Sequence, residues 1–205
     1  NPTDPAYVDV MSRMYPNVQE WEDMATSTTN GDRPIMACEY AHAMGYSVGN
    51  LAEHWEMIRK HDRLIGAYIW DWIDQGIWVD EKFVERRKAH GQPVPAAWNG
   101  KPYWAYGGDF GDQPNTGNFC CNGIISPNRK PKPPMWECKK VAEPIHVELI
   151  DRRSATFKIT NRYEVLDLSH LEGVWILLED GKPLAEGKLP ELTTPAGETG
   201  TFSIN

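Results

Sequence analysis

The N-terminal part of the chain alternates between short apolar runs and amphipathic helical segments, and this order limits the folds open to it. Runs of about four to eight apolar residues between breakers are typical of strands in buried parallel sheets. The predicted order is strand 7–11, helix 16–24, strand 34–38, a helix from a Ser47 cap with apolar Leu51, Trp55 and Ile58, and strand 64–73. This β-α-β-α-β alternation predicts a parallel sheet with crossover helices.

The segment after Trp78 departs from the alternation. It holds a charged stretch at 81–88, then Pro93, Pro95 and several glycines. This composition predicts a long loop, which in a compact domain usually serves a function or marks an insertion. One further short helix is predicted at 135–141.

From Pro144 onward the pattern changes to short strands. Residues 146–150 and 156–160 alternate between polar and apolar side chains, and Asp180-Gly181 is a hairpin-turn signal. Further strands are predicted at 174–178, 184–187 and 201–204. The pattern favours an immunoglobulin-like β-sandwich, which needs about 100 residues when complete. The sandwich is therefore predicted to be truncated, and the domains are predicted to be 1–145 and 146–205.

The acidic balance of the chain argues against a nucleic-acid partner. The formal net charge is −8, whereas a phosphate backbone is bound by a basic face. No apolar run approaches the roughly 18 residues of a membrane span, so no membrane partner is predicted. The four cysteines, at 38, 120, 121 and 138, contain no CxxC pair. A zinc site is therefore not predicted, and reduced, mostly buried thiols are expected.

Glu39 is the candidate residue of most chemical interest. It follows the apolar run 35–38, at the end of a predicted strand. A carboxylate in such a place is costly to desolvate. In a (β/α) barrel, the C-terminal ends of the strands form the catalytic face. The residues alone leave two interpretations open, a catalytic carboxylate or a structural one at a strand end.

Four ordered blocks of sequence resemble the large bacterial β-galactosidases of glycoside hydrolase family two. They are residues 38–45, 70–75, 106–112 and 119–123. The resemblance spans nearly the whole chain and is stronger before about residue 145. It implies an α/β fold: a partial (β/α)8 TIM barrel, consisting of the last strands and helices of a catalytic barrel, followed by the start of a β-sandwich.

The resemblance also implies a reaction, the retaining hydrolysis of terminal β-D-galactosides. Glu39 matches the family nucleophile, on which the glycosyl-enzyme intermediate forms. Tyr15 matches a phenol that hydrogen-bonds the nucleophile. His42 matches a histidine that contacts the sugar hydroxyls and stabilises the transition state. Each residue also has an ordinary structural interpretation, in packing or hydrogen bonding.

Further residues are implied to bind the substrate and a cation. Met14, Trp70 and Asn115 match substrate-binding positions, with Trp70 as a floor for the galactosyl ring. Phe119, through its backbone carbonyl, and Asn122, through its side chain, match two ligands of a sodium ion. The sodium site is expected to be incomplete, because a third family ligand comes from an upstream domain.

Two positions depart from the family blocks. Thr116 stands where the family commonly has Asp, and Tyr46 replaces the usual Asn. Both departures are expected to alter the edge of the pocket or the leaving-group preference.

Other family parts have no match in this sequence. The acid/base Glu and the magnesium ligands lie upstream in the family, so the chain alone is expected to be inactive. The parent protein is expected to be a homo-oligomer. Other possibilities are a β-glucuronidase or β-mannosidase, or a non-catalytic sugar-binding or assembly piece. The compartment, cytoplasmic or periplasmic, stays open because the chain begins at Asn1 without an initiator Met.

Overall fold

The computed structural model describes residues 4–29 and 31–204, and the chain divides into two compact units between Val141 and Ala142. The first unit contains β1 (Met11–Met14), α1 (Val18–Thr26), β2 (Ile35–Tyr40), α2 (Leu51–Lys60), β3 (Leu64–Ile69), β4 (Ile77–Val79), α3 (Glu81–Ala89), β5 (Tyr103–Ala105), a 3₁₀ helix (Gly117–Cys120) and α4 (Pro133–Val141). The second unit contains β6 (Ile145–Asp151), β7 (Thr156–Asn161), β8 (Val174–Glu179), β9 (Lys182–Lys188) and β10 (Thr199–Ser203).

The parallel sheet predicted from the alternation is present. Its strands lie in the order β1-β2-β3, with β2 parallel to both neighbours. Trp21 of α1, Ile35 of β2 and Leu51 of α2 are fully buried in one core. Burial of a large apolar side chain contributes about 1.5–3 kcal/mol, so this core anchors both helices to the sheet.

Helices α1 and α2 form where their apolar stripes were predicted, with different caps and bounds. Asn17 caps α1 through a reciprocal pair with Glu20: the Glu20 N–H donates to Asn17 Oδ1 at 2.9 Å, and the Asn17 N–H donates to Glu20 Oε2 at 2.8 Å. The N-cap of α2 is Asn50, so the predicted Ser47 cap is wrong. The Ser47 hydroxyl instead donates to the Met44 carbonyl at 2.8 Å.

Two predicted strands have the wrong bounds for one reason: a strand extends only as far as its partner. β1 begins at Met11, because β2 offers a ladder from Ile35 onward, and it runs to Met14 rather than occupying 7–11. β3 ends at Ile69 rather than at 73. After the Trp70 N–H bonds the Tyr40 carbonyl, the next N–H, that of Asp71, turns to the carbonyl of Asn122.

The predicted loop after Trp78 is wrong in part, since it contains α3 and one strand of a hairpin. The Asp80 side chain accepts a hydrogen bond from the Phe83 N–H at 2.8 Å and caps the helix. Val84 is buried against Val79 and Ala105 of the antiparallel β4–β5 pair. The charged stretch therefore needs only a narrow buried face to fold as a helix.

The described residues of the first unit contain one three-stranded parallel sheet and do not close a barrel. The helix predicted at 135–141 is confirmed as α4, which begins two residues earlier at Pro133. Among the residues described, no helix is both long and apolar enough to cross a membrane.

The second unit has two separate antiparallel sheets. One has the order β10-β7-β6, and the other is the β8–β9 hairpin. The hairpin prediction is confirmed at Asp180 and Gly181, whose φ angles of 48° and 78° are those of a turn with two left-handed residues. Ile159, Leu168 and Leu192 form a small core, but this core does not by itself make a complete sandwich.

Candidate functional site

Glu39 lies one residue before the end of β2 and is half-buried. The parallel ladder pairs it with Met14, the last residue of β1. The Tyr15 N–H donates to the Glu39 carbonyl at 2.8 Å. The ends of β1 and β2 thus lie together, and the strand order sets Tyr15 beside Glu39.

The side chain of Tyr15 also reaches Glu39. The pKa of Tyr15 is raised far above its usual value, first by burial and then by interaction of the phenol with the Glu39 carboxylate and its negative charge. A phenol with a raised pKa stays protonated at neutral pH and is able to donate a hydrogen bond to a carboxylate.

The backbone around this pair is unusual. Tyr15 has φ 50° and Ala41 has φ 49°. Left-handed backbone is uncommon for residues with a side chain, and it clusters at functional sites when the surrounding structure holds it. Here the ladder end and the bond from the Tyr15 N–H to the Glu39 carbonyl supply that support.

The His42 ring lies between two aromatic rings. Its centroid is 5.8 Å from that of Tyr15 and 5.6 Å from that of Phe119. His42 is half-buried, and Phe119 is exposed by about half. The structure therefore gathers four of the residues predicted from sequence, Tyr15, Glu39, His42 and Phe119.

Trp70 connects the end of β3 to the Glu39 segment. Its N–H donates to the Tyr40 carbonyl at 3.0 Å, and its carbonyl accepts from the Ala43 N–H at 2.7 Å. The backbone bonds of Trp70 thus bracket residues 41 and 42. Its side chain is half-buried, and its predicted contact with a sugar ring stays a prediction.

The next residue, Asp71, is held by its own loop. Its carboxylate accepts from the Gln75 amide at 2.8 Å and from the Trp72 N–H at 2.5 Å. Its charge contributes a small part of the rise in the pKa of Tyr15. Both of its oxygens serve the loop, as expected of a structural hydrogen-bond partner.

Asp74 anchors the segment that carries the predicted cation ligands. It is 8% exposed, lies 2.7 Å from Lys132 Nζ, and accepts from the Gly123 N–H at 2.8 Å. A Cβ at Gly123 would lie 2.2 Å from the Asp74 nitrogen, so only glycine fits there. The sequence offers no helical or strand pattern around Lys132, so its role could not be found in advance.

Asn122 carries an unsatisfied oxygen. The residue is 3% exposed, and its Oδ1 has no hydrogen-bond partner among the described residues. An orphaned buried amide oxygen is costly, and it suits a hard cation, which prefers oxygen ligands. No group of three or more His, Cys, Asp or Glu in the described part of the chain could hold a metal ion.

Asn115 and Met14 are less clearly placed for binding. The Asn115 amide donates to the Asp112 carbonyl at 2.9 Å and accepts from the Gly117 N–H at 3.0 Å. Both ends of this amide are used within its own exposed loop. Met14 is 59% exposed at the end of β1. Substrate contacts by these two residues stay predictions.

The cysteines differ from the sequence expectation. Cys38 is exposed and the other three are half-buried, so the prediction of mostly buried thiols is wrong. Burial, then the charge and hydrogen bond of neighbouring Cys120, raise the pKa of Cys121 to about 11.

Comparison with known proteins matches the sequence to two family models. Residues 3–147 match the family described as "Glycosyl hydrolases family 2, TIM barrel domain", and residues 157–205 match "Beta-galactosidase, domain 4".

Similar full-length proteins include three named "Beta-galactosidase". The protein of Aeromonas hydrophila subsp. hydrophila is 36% identical over 89% of this chain, that of Yersinia pseudotuberculosis serotype O:1b is 35% identical over 88%, and that of Yersinia enterocolitica serotype O:8 is 34% identical over 93%. This chain spans only 16–17% of the length of these relatives.

A solved structure of a family-two β-galacturonidase from Eisenbergiella tayi, bound to galacturonate, is 19% identical and covers 66% of this chain and 24% of its own. Its TM-score of 0.37 is too low to establish a shared fold. The family match over residues 3–147 covers more than half of the sequence. On that ground this chain belongs to glycosyl hydrolase family 2.

Proposed function

We propose that this chain is the nucleophile-bearing part of a retaining β-galactosidase, with the glycosyl-enzyme intermediate on Glu39. One observation carries the proposal: Glu39 lies at the end of a parallel strand with Tyr15 beside it, where the Tyr15 N–H donates to the Glu39 carbonyl at 2.8 Å. The names of the similar full-length proteins support galactosides as the substrates.

The proposed chemistry needs an ionised carboxylate that is oriented toward the anomeric carbon of the sugar. In a retaining glycosidase, one carboxylate attacks the anomeric carbon as the bond to the leaving oxygen breaks, and a glycosyl ester forms. Water, activated by the second carboxyl group, then hydrolyses the ester. A hydrogen bond from the Tyr15 phenol would orient the Glu39 carboxylate for the first step. His42 lies next to Tyr15, where it would contact the sugar hydroxyls.

The substrate would rest on residues at the same edge of the sheet. Trp70 follows β3 and is backbone-bonded to both sides of residues 41–42, which suits a floor for the galactosyl ring. Met14 ends β1 next to Glu39. Asn115 is exposed, and its amide would contribute through the N–H and the lone pair that its two loop bonds leave over.

Sodium is the proposed cation, held by the Asn122 side chain and the Phe119 carbonyl. The orphaned Oδ1 of Asn122 supports this choice. A bound sodium ion would supply positive charge to these oxygens and fix the segment that packs on His42. Magnesium in the parent protein would be bound by residues outside this chain.

The proposed architecture is a piece of a larger protein. The sheet β1-β2-β3 would be part of a TIM barrel within residues 1–145, and residues 146–205 would begin an immunoglobulin-like β-sandwich. These two ranges are similar to the ranges of the two family matches, residues 3–147 and 157–205. The full-length parent is proposed to be a homo-oligomer that supplies the acid/base Glu.

Covalent trapping in the full-length protein tests the nucleophile. A 2-deoxy-2-fluoro-galactoside with a good leaving group should leave an ester on the peptide that contains Glu39, detected by mass spectrometry. The Glu56→Gln variant is a matched control, because Glu56 is exposed on α2, and it should label equally. An ester on another carboxylate would show that Glu39 is not the nucleophile.

Turnover measurements test the substrate and the need for the parent. Nitrophenyl β-galactoside should be hydrolysed faster than the matching glucuronide or mannoside by the full-length protein. The chain of residues 1–205 alone should show no turnover, because a missing general acid typically costs 10²–10⁴-fold. Activity of the isolated chain that disappears in Glu39→Gln would contradict this, and would place the acid/base residue within these positions.

A further inference from the structure

The ion pair of Asp74 and Lys132 lies against the segment that carries the proposed cation ligands, and the proposed reaction does not use it. Lys132 Nζ is 2.8 Å from Asp74 Oδ1 and 2.7 Å from Asp74 Oδ2. Asp74 is buried and Lys132 is half-buried. Both oxygens of the carboxylate therefore face one ammonium group, which cancels the charge of Asp74 in a place that water screens poorly.

The pair is bonded to the backbone directly after Asn122. The Gly123 N–H donates to Asp74 Oδ1 at 2.8 Å, and the Lys132 N–H donates to the Ile124 carbonyl at 3.0 Å. Gly123 has no room for a side chain against the backbone before Asp74. The Asp74 carboxylate is thus fixed one residue away from the buried Asn122 amide.

The two cation ligands that this chain would supply carry no charge of their own. They are the Asn122 Oδ1 atom, which has no hydrogen-bond partner among the described residues, and the Phe119 carbonyl. In the described part of the chain, Asp74 is the carboxylate that hydrogen-bonds the segment 119–123. Whether its charge is cancelled therefore affects which ion the site prefers.

We propose that Lys132 neutralises Asp74 and thereby makes this a site for a monovalent cation, an inference that rests on the sodium site of the proposed function. The attraction between an ion and a carboxylate is proportional to the product of their charges. An uncancelled Asp74 would therefore favour a divalent ion twice as much, in free energy, as a monovalent ion. With Lys132 in place, neither ion gains this attraction.

Calcium is the probe for this effect, because Na⁺ and Ca²⁺ have nearly equal radii and both prefer oxygen ligands. Sodium-23 NMR of the native full-length protein would measure bound sodium, while calcium is added until half of that sodium is displaced. Lys132→Met should lower this calcium concentration by roughly tenfold, the effect of one uncancelled charge near a partly buried ion. Asn122→Ala should remove the bound-sodium signal, which assigns the signal to this site.

Two matched variants separate charge from packing. Asp74→Asn combined with Lys132→Met removes both charges and keeps an acceptor for the Gly123 N–H, so the calcium concentration should return close to the wild-type value. Lys130→Met removes a nearby exposed charge, which solvent screens, so this variant should behave as the wild type does.

An unchanged calcium concentration in Lys132→Met would overturn the role of Lys132 and leave the sodium site standing. Absence of bound sodium in the wild type, or a signal that persists in Asn122→Ala, would remove the sodium site and the role of Lys132 with it. If circular dichroism shows that Lys132→Met is misfolded, Asp74→Asn decides. It leaves the ammonium group uncancelled and should weaken sodium binding by roughly tenfold, and an unchanged sodium affinity would contradict the proposal.

Discussion

The two units of this chain use apolar residues in different ways. In the first unit, Trp21, Ile35 and Leu51 are fully buried between two helices and a parallel sheet. In the second, the β8–β9 hairpin leaves Val174 71% exposed and Leu178 55% exposed. The first unit thus covers its central strand, whereas the hairpin leaves apolar side chains on both of its strands exposed. Local turn chemistry is enough to set a hairpin, but only tertiary contacts bury it.

The largest expected difference between the units is in catalysis. Glu39→Gln in the full-length protein should lower kcat by several orders of magnitude, because an amide cannot form the glycosyl ester. Glu148→Gln is the matched change in the second unit. Its partner is Lys158 in an exposed ion pair, so turnover should change by less than about fivefold. Kinetics with nitrophenyl galactoside give kcat for both variants. Equal losses of kcat would contradict the expected difference between the two units.

The second difference is in stability. Leu51→Ala removes a fully buried side chain and should lower the unfolding free energy by about 2–5 kcal/mol. Leu178→Ala removes a side chain that is half exposed and should change it by about 0.5 kcal/mol or less. Urea unfolding followed by circular dichroism gives both values. A large loss from Leu178→Ala would mean that the hairpin is covered in solution.

The third difference is in association. Exposed apolar strands promote self-association, so the isolated chain should be larger than a monomer by light scattering. Replacing Ile176 by Lys, at a position 56% exposed on β8, should shift the mass toward the monomer. Lys82→Arg on α3 keeps the charge of an exposed position and serves as the control. A monomeric wild-type chain would contradict this prediction.

The smallest expected effect is a pH dependence in the first unit. His54 accepts a hydrogen bond from Trp21 Nε1 at 2.9 Å, and burial, opposed by the charge of Glu53, lowers its pKa. As the pH falls, His54 is therefore protonated at a higher pH in the unfolded chain than in the folded chain. The His54 contribution to stability is present above the unfolded pKa of about 6.5 and is lost as the pH falls below it.

His54→Gln is the matched variant, because glutamine still accepts from Trp21 but does not titrate. The difference in unfolding free energy between wild type and variant should shrink from pH 8 toward pH 5, measured by urea unfolding at each value. A difference that stays constant over that range would show that His54 has the same pKa in both states.

Much of the α/β order was predictable, because periodic apolar residues mark buried faces. The stripe of Leu51, Trp55 and Ile58 predicted α2, and its Leu and Ile are indeed buried. Helix α3 was missed because six of its nine residues are charged and only Val84 is buried. One buried valine is too weak a periodic signal. Its packing partner β5 also lies after a long segment that has no helical or strand pattern in the sequence.

The sequence by itself determined which residues are candidates for chemistry: the carboxylate after an apolar run and the residues of the four ordered blocks. Only the tertiary structure decided which of them meet. The parallel ladder brings Tyr15 to Glu39, ring contacts bring Phe119 to His42, and the Asp71–Asn122 bond joins the second block to the fourth. These contacts join residues far apart in the chain. They depend on strand register and on loop closure, and a local sequence pattern specifies neither of the two.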